Sequence, residues 1–200
     1  DLSAMRDWSL AAGRAASETE ASQLLALLTQ SSGAGPLMHD NKRLFHADHG
    51  NLAAAGSTIF GLGSDLLPLR DARLAMRKQT GLDGKTPINA TPKFLLVPAH
   101  LETEAEQALA TIYAADAATV NPFSGRLTPL VDARLTGNAW YLFADPATLP
   151  VVEYVYLSGA EGPQVASREG WDVLGMEFRV ILDFGAGAID WRGAYRNPGE

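Results

Sequence analysis

The sequence contains no cysteine. Disulfide cross-links and thiolate chemistry are therefore excluded, and cysteine usage says nothing about redox compartment. No apolar run approaches the about eighteen residues that a membrane helix needs, and no secretory signal pattern opens the chain. Positive charge is scarce: 16 Lys and Arg stand against 23 Asp and Glu, a formal net charge of −7. That balance argues against a general phosphate-binding surface while leaving room for local basic patches. No Gly-x-Ser-x-Gly elbow presents a serine nucleophile. The segment Gly84-Lys85-Thr86 imitates the end of a phosphate loop, but the glycine required at position 79 is Gln79 and Pro87 follows at once.

What is present is ordinary globular material. With 46% apolar and 20% charged residues, 200 residues make one sizeable domain or two small ones. The clearest unit is Lys93 to Tyr113. Phe94, Leu95, Leu96 and Val97 form an apolar run without alternation, as in a strand covered on both faces. Burying all four contributes roughly 6–12 kcal/mol gross, and a charge placed at Leu96 is expected to unfold the domain. Pro98 ends the strand. Leu101, Ala105, Ala108, Leu109 and Ile112 then recur at helical spacing, with Glu102, Glu104 and Glu106 near the helix start.

Upstream, residues 1–32 read as one helix, apolar along Leu24, Leu25, Leu27 and Leu28 and closed by Gly33 and Gly35. The start at Asp1 rather than Met gives the expectation of a fragment of a longer protein or a processed product. Residues 37–64 are glycine-rich and irregular, too long for a plain connection. Leu66 to Thr80 is a second helix, with Pro68 in its first turn. Downstream, strands are expected at 128–135, 139–144, 151–157, weakly at 165–168, then at 177–182 and 189–196. The last two would be joined through Phe184-Gly185-Ala186-Gly187, whose glycines fit a bend or hairpin. The order of elements gives an α/β layer followed by a β-rich half, an α+β class overall.

His39, Asp40, His46, Asp48 and His49 crowd one loop. Imidazole and carboxylate are good metal ligands, so a metal-dependent hydrolase using residues 39–49 is one reading. The spacing fits no helical zinc motif, and polar side chains serving loop backbone or a neighbouring subunit account for it as well. No catalytic, cofactor or metal residue is assigned. His46, Asp48, His49 and Asn51 are candidates for a subunit-interface loop, together with residues 56–63 and 115–127. Trp140, Tyr141, Asp183, Trp191 and Arg192 are candidate structural sheet residues. The aromatic run Trp140-Tyr141-Leu142-Phe143 is read as core or subunit contact rather than a base-stacking surface.

Several stretches carry a resemblance when taken together and in order. They are 44–52 (LFHADHGNL), 72–79 (ARLAMRKQ), Leu95-Leu96-Val97-Pro98 with Leu101-Glu102, Trp140 to Pro146, Gly159 to Pro163, Asp183-Phe184-Gly185, and Asp190 to Tyr195. The chain resembles the major capsid proteins of Mu-like tailed phages. That resemblance implies the Hong Kong ninety-seven capsid fold, in which an axial domain and part of a peripheral domain accompany the end of a spine helix. The N-terminal arm and extended loop of that family have no counterpart here. Residues 1–50 would be spine helix and connecting loop, 51–150 the axial domain, and 151–200 strands returning to the peripheral domain. The implied protein is a non-enzymatic virion subunit that assembles with itself, as hexamers and pentamers, into an icosahedral shell around phage or prophage DNA. It would need no cofactor and touch no membrane. It would meet a scaffold or prohead protease, fused or separate, and contact packaged DNA weakly. Assembly would take place in the bacterial host cytoplasm. A non-enzymatic head accessory module is the remaining alternative.

Overall fold

The computed structural model describes residues 2–54, 66–110, 123–170 and 174–199, with backbone alone for helix residues 2–7 and 9. The elements run α1 (Leu2–Thr29), α2 (Leu67–Arg77), β1 (Pro92–Pro98), α3 (Glu102–Leu109), β2 (Thr128–Asp132), β3 (Trp140–Ala144), β4 (Val152–Tyr156), β5 (Gln164–Glu169), β6 (Met176–Ile181), β7 (Phe184–Ala188) and β8 (Ala194–Asn197). This is a mixed α+β architecture.

The body is a four-stranded sheet in the order β2-β1-β3-β8. β2 runs parallel to β1, while β3 and β8 are antiparallel to their neighbours. Alternation along β1 sorts its side chains. Leu95 and Val97 have no exposure and join Leu142 and Trp140 beneath α2 and α3. α2 contributes Leu69, Ala72 and Met76, one face at helical spacing, and α3 contributes Ala105 and Ala108. The opposite sheet face carries Phe94, Leu96, Tyr141 and Phe143. Leu28, Met38, Leu44 and Phe45 pack over its β3–β8 side. Phe94 and Leu96 are only half-buried. The expected double covering of β1 is therefore complete on one face and partial on the other, and Leu96 is a milder site than expected.

The other part is an arm. β4 pairs with β7, and β5 with β6, both antiparallel and nested in sequence. The two rungs form one hairpin, widened where residues 157–163 face only 182–183. α1 lies alongside. Leu25 and Leu28 pack near Val152 and Ala188 at the arm's base. Midway, the Tyr156 hydroxyl donates to Glu20 at 2.9 Å. Farther out, Trp8 and Phe178 have ring centres 4.8 Å apart. The lengths agree: from Trp8 to Leu28 a helix rises about 30 Å, and from Phe178 to Ala188 a strand rises about 33 Å.

Three expectations are corrected here. Phe184-Gly185-Ala186-Gly187 is not a bend but most of β7. Phe184, Ala186 and Ala188 share the face of Tyr154 and Tyr156, where the small alanines admit α1, and the glycines alternate onto the other face. Second, the strand expected at 189–196 is confined to Ala194–Asn197. Third, Trp191 and Arg192 belong to the turn before it and Asp183 to the link between β6 and β7, so these three are not sheet residues; Trp140 and Tyr141 are, in β3. The outer part of the helix expected to reach Ile112, and the loops 56–63 and 115–122, lie outside the described residues.

Glycine is required where the two parts meet. In the turn after α1, Gly33 has φ +83°, and a Cβ there would sit 2.6 Å from the Arg196 guanidinium. A Cβ on Gly193 would meet Leu149 O at 2.8 Å.

Candidate functional site

The loop singled out in the sequence is held from several distant parts of the chain. Ala47–His49 makes one 3-10 turn. His46 Nδ1 accepts from the Asp48 amide, and Gly50 closes the turn at φ 64°. Asn51 is buried at the loop's hub. Its Oδ1 accepts from the His46 amide at 3.0 Å, and its Nδ2 donates to Leu44 O at 2.8 Å and Trp191 O at 3.3 Å. Its own carbonyl accepts from the Arg196 amide. The loop is thereby tied to β8.

His49 is buried as well. Nε2 lies 2.8 Å from Asp40 Oδ2 and Nδ1 lies 3.2 Å from Leu44 O. Both partners accept, so the ring makes both bonds only when it carries a proton on each nitrogen. The ring stacks on Trp191 at 4.1 Å and 7°, and Arg192 lies 4.4 Å from the centre of the same indole. The His49 hydrogen bond holds the Asp40 carboxyl below the usual carboxylate range. Gln79 Nε2 donates to His49 O at 2.8 Å, Arg192 Nε donates to Thr80 O at 2.8 Å, and Asp190 braces Arg192 at 3.0 Å. The end of α2, the loop and the turn before β8 thus converge.

Between them opens a cleft of about 760 Å³, lined by Asp40, Lys42, Asp48, His49, Asp71, Lys78, Gln79, Trp191 and Arg192 among others. Most of its charges are paired within the chain. Lys42 meets Asp48 at 2.8 Å, which lowers the Asp48 carboxyl and raises the Lys42 ammonium. Among the described residues, no group of three His, Cys, Asp or Glu is placed to hold a metal ion. The His39 ring stacks against Trp191, the ring centres 5.4 Å apart.

Of the four loop candidates, His49 and Asn51 point inward and hold the loop, whereas His46 and Asp48 reach solvent. The sequence reading missed the bracing roles of Gln79 and Asp40, whose partners lie 30 and 9 residues away. Trp140 and Tyr141 are fully buried, so neither is a base-stacking surface. His100 is a surface group 3.1 Å from Asn138.

The turn at Gly84-Lys85-Thr86 is organised by Asp83. Its carboxylate accepts from the Thr86 hydroxyl and from the amides of Lys85 and Thr86. Two backbone donors that a phosphate would need are thus already taken. These bonds, the hydroxyl's foremost, hold the Asp83 carboxyl down to about 2. The folded value lies below the unfolded value of about 3.9, so the turn's contribution is present above about pH 4 and fades as pH falls toward 2. Carboxyl titration by NMR should give a midpoint near 2 for Asp83. An ordinary value near 4 would show that the turn is not formed in solution.

A family model described as phage capsid protein matches residues 1–197. No curated protein matches the chain.

Proposed function

Because the chain belongs to the phage capsid protein family, a structural component of the virion, we propose that it is a major head subunit of the Mu-like type. In this reading the fold is of the Hong Kong ninety-seven kind. Copies of the chain assemble, in the bacterial host cytoplasm, into an icosahedral shell enclosing phage or prophage DNA. The observation that carries the reading is the match over 1–197 on a molecule whose long helix and long hairpin arm lie side by side. α1 and the arm would belong to the peripheral domain, reached from residues 1–50 and 151–200. β1, β2 and β3 with α2 and α3, within 51–150, would be the axial domain, its sheet completed by β8 from the 151–200 segment.

A shell subunit needs shape and complementary edges more than reactive groups. Each contact between copies can be weak, because closure engages many at once. His46 and Asp48, on the solvent side of the loop, would meet a neighbouring copy, while His49 and Asn51 fix the loop's shape. Scaffold or prohead protease, fused or separate, would be transient partners. Contact with packaged DNA would be weak and without sequence preference, as a net charge of −7 favours. No helix among the described residues is long and apolar enough to cross a membrane.

Sedimentation velocity of the purified chain over a range of concentration and salt tests self-association. Discrete species of five or six copies, or larger closed products, are expected. A single monomer boundary under every condition would contradict the proposal.

A further inference from the structure

By its sequence the first helix should run to Ser32 and close at Gly33, yet α1 ends at Thr29. Leu24, Leu25, Ala26, Leu27, Leu28 and Gln30 are strong helix formers, and nothing before Gly33 breaks the pattern. What stops the helix is a reversal of hand. Ser31 and Ser32 take φ of 56° and 58°, and Gly33 follows at 83°. Glycine bears such values freely, whereas a side chain at left-handed φ costs energy at each position. Local preference and fold disagree here, at the point where the long helix meets the body.

The bonds around the turn show what holds it. Gly33 N donates to Thr29 O, Ala34 N to Ser31 O and Gly35 N to Gln30 O. The Gln30 side chain donates to Leu27 O at 3.1 Å, the carbonyl that the Ser31 amide would take if the helix went on. From the body, Phe45 N donates to Ala34 O and Leu44 N to Pro36 O. The Arg196 guanidinium packs on Gly33 and donates to Ser32 O at 3.4 Å. That bond is long, and Arg196 Nε is buried without a partner. Arg196 therefore grips Ser32 with a contact that is easily given up.

We propose that residues 31–33 form a two-position joint. In the position seen here they are left-handed, and Arg196 latches them. In the other, Arg196 lets go, Ser31 and Ser32 turn right-handed, and their amides bond Leu27 O and Leu28 O. α1 then lengthens by about 4.5 Å. Residues 34 and 36 stay tied to 44 and 45, so α1 shifts against the sheet and parts Arg134 from Glu18, now 3.0 Å apart. The arm follows α1 through Tyr156 with Glu20 and Trp8 with Phe178. Arg196 also carries the loop, since its amide donates to Asn51 O and its carbonyl accepts from the Ala53 amide. One residue thus touches both the end of α1 and the seat of the loop. The joint belongs to the single chain and needs no second copy.

The test is made on unassembled protein. Ser31→Gly with Ser32→Gly relieves the left-handed serines and disfavours the longer helix, so Tm should rise by about 2–8 °C. A Tm at or below wild type would overturn the proposal. Ser31→Val with Ser32→Val places β-branched side chains where left-handed φ is hardly tolerated. Amide exchange at 31 and 32 should then slow about tenfold or more. Spin labels at Ser17→Cys and Thr103→Cys, in a chain with no native cysteine, should change their separation. A folded Val pair with the wild-type separation would contradict the joint. If the Val pair does not fold, Arg196→Gln decides: release of the latch should slow exchange at 31 and 32, and exchange as fast as in wild type would overturn the proposal. Failure of the wild-type chain to assemble would count against the shell reading alone and leave each of these results standing.

Discussion

Leu95→Asp abolishes the folded state. Leu95 has no exposure and lies under α2 and α3, flanked across the sheet by Pro129 and Leu142. A carboxylate there has no cationic partner in the cluster around it, and an unpaired buried charge costs several kcal/mol or more. A domain of this kind is stable by only about 5–15 kcal/mol in total. Circular dichroism should show loss of the cooperative melt. Leu95→Ala, which leaves a cavity but no charge, should keep the fold at a cost of about 2–5 kcal/mol. Leu96→Asp should be milder than Leu95→Asp, because Leu96 is half-buried on the partly covered face. Equal damage at both positions would mean that the two sheet faces are buried alike.

Asn51→Ala has the second-largest effect. The side chain satisfies three backbone groups, the His46 amide and the carbonyls of Leu44 and Trp191, and it does so from a buried position. Each buried group left without a partner costs about 1–3 kcal/mol. Some relaxation is expected, so the total should fall near 3–5 kcal/mol, a drop in Tm of about 6–20 °C at this chain length. The His49–Trp191 stack should loosen with it, seen as a change in indole fluorescence. A Tm within 2 °C of wild type would show that water replaces these bonds at little cost.

Much of this fold is legible in the sequence where the signal is local. The unbroken run at Phe94–Val97, the stripe Leu69, Ala72 and Met76, and the aromatic segment at 140–144 each announce an element by pattern alone. β7 was not legible. Gly185 and Gly187 look like turn residues, and only their pairing with Val155 and Glu153 reveals that the chain stays extended. The nesting of β5–β6 within β4–β7 was hidden for the same reason, since pairing is a property of two segments at once.

The loop at 37–54 teaches a similar lesson. Its histidines and aspartates are conspicuous, but their meaning depends on Trp191, Gln79 and Arg196, which arrive from elsewhere in the chain. Read alone, His49 and Asn51 look available to a partner; in the fold they are the pins that give the loop its shape. The exposed groups, His46 and Asp48, could not be told from them by spacing. The cleft was invisible too, because it is formed by elements distant in sequence.

The central claim is that this chain is a repeating unit of a closed shell. Electron microscopy of the purified chain under assembly conditions tests it most directly. Hollow particles of uniform diameter with regular surface clusters of five and six copies are the predicted result; isolated monomers or shapeless aggregates, from protein that melts cooperatively in the same buffer, would contradict it.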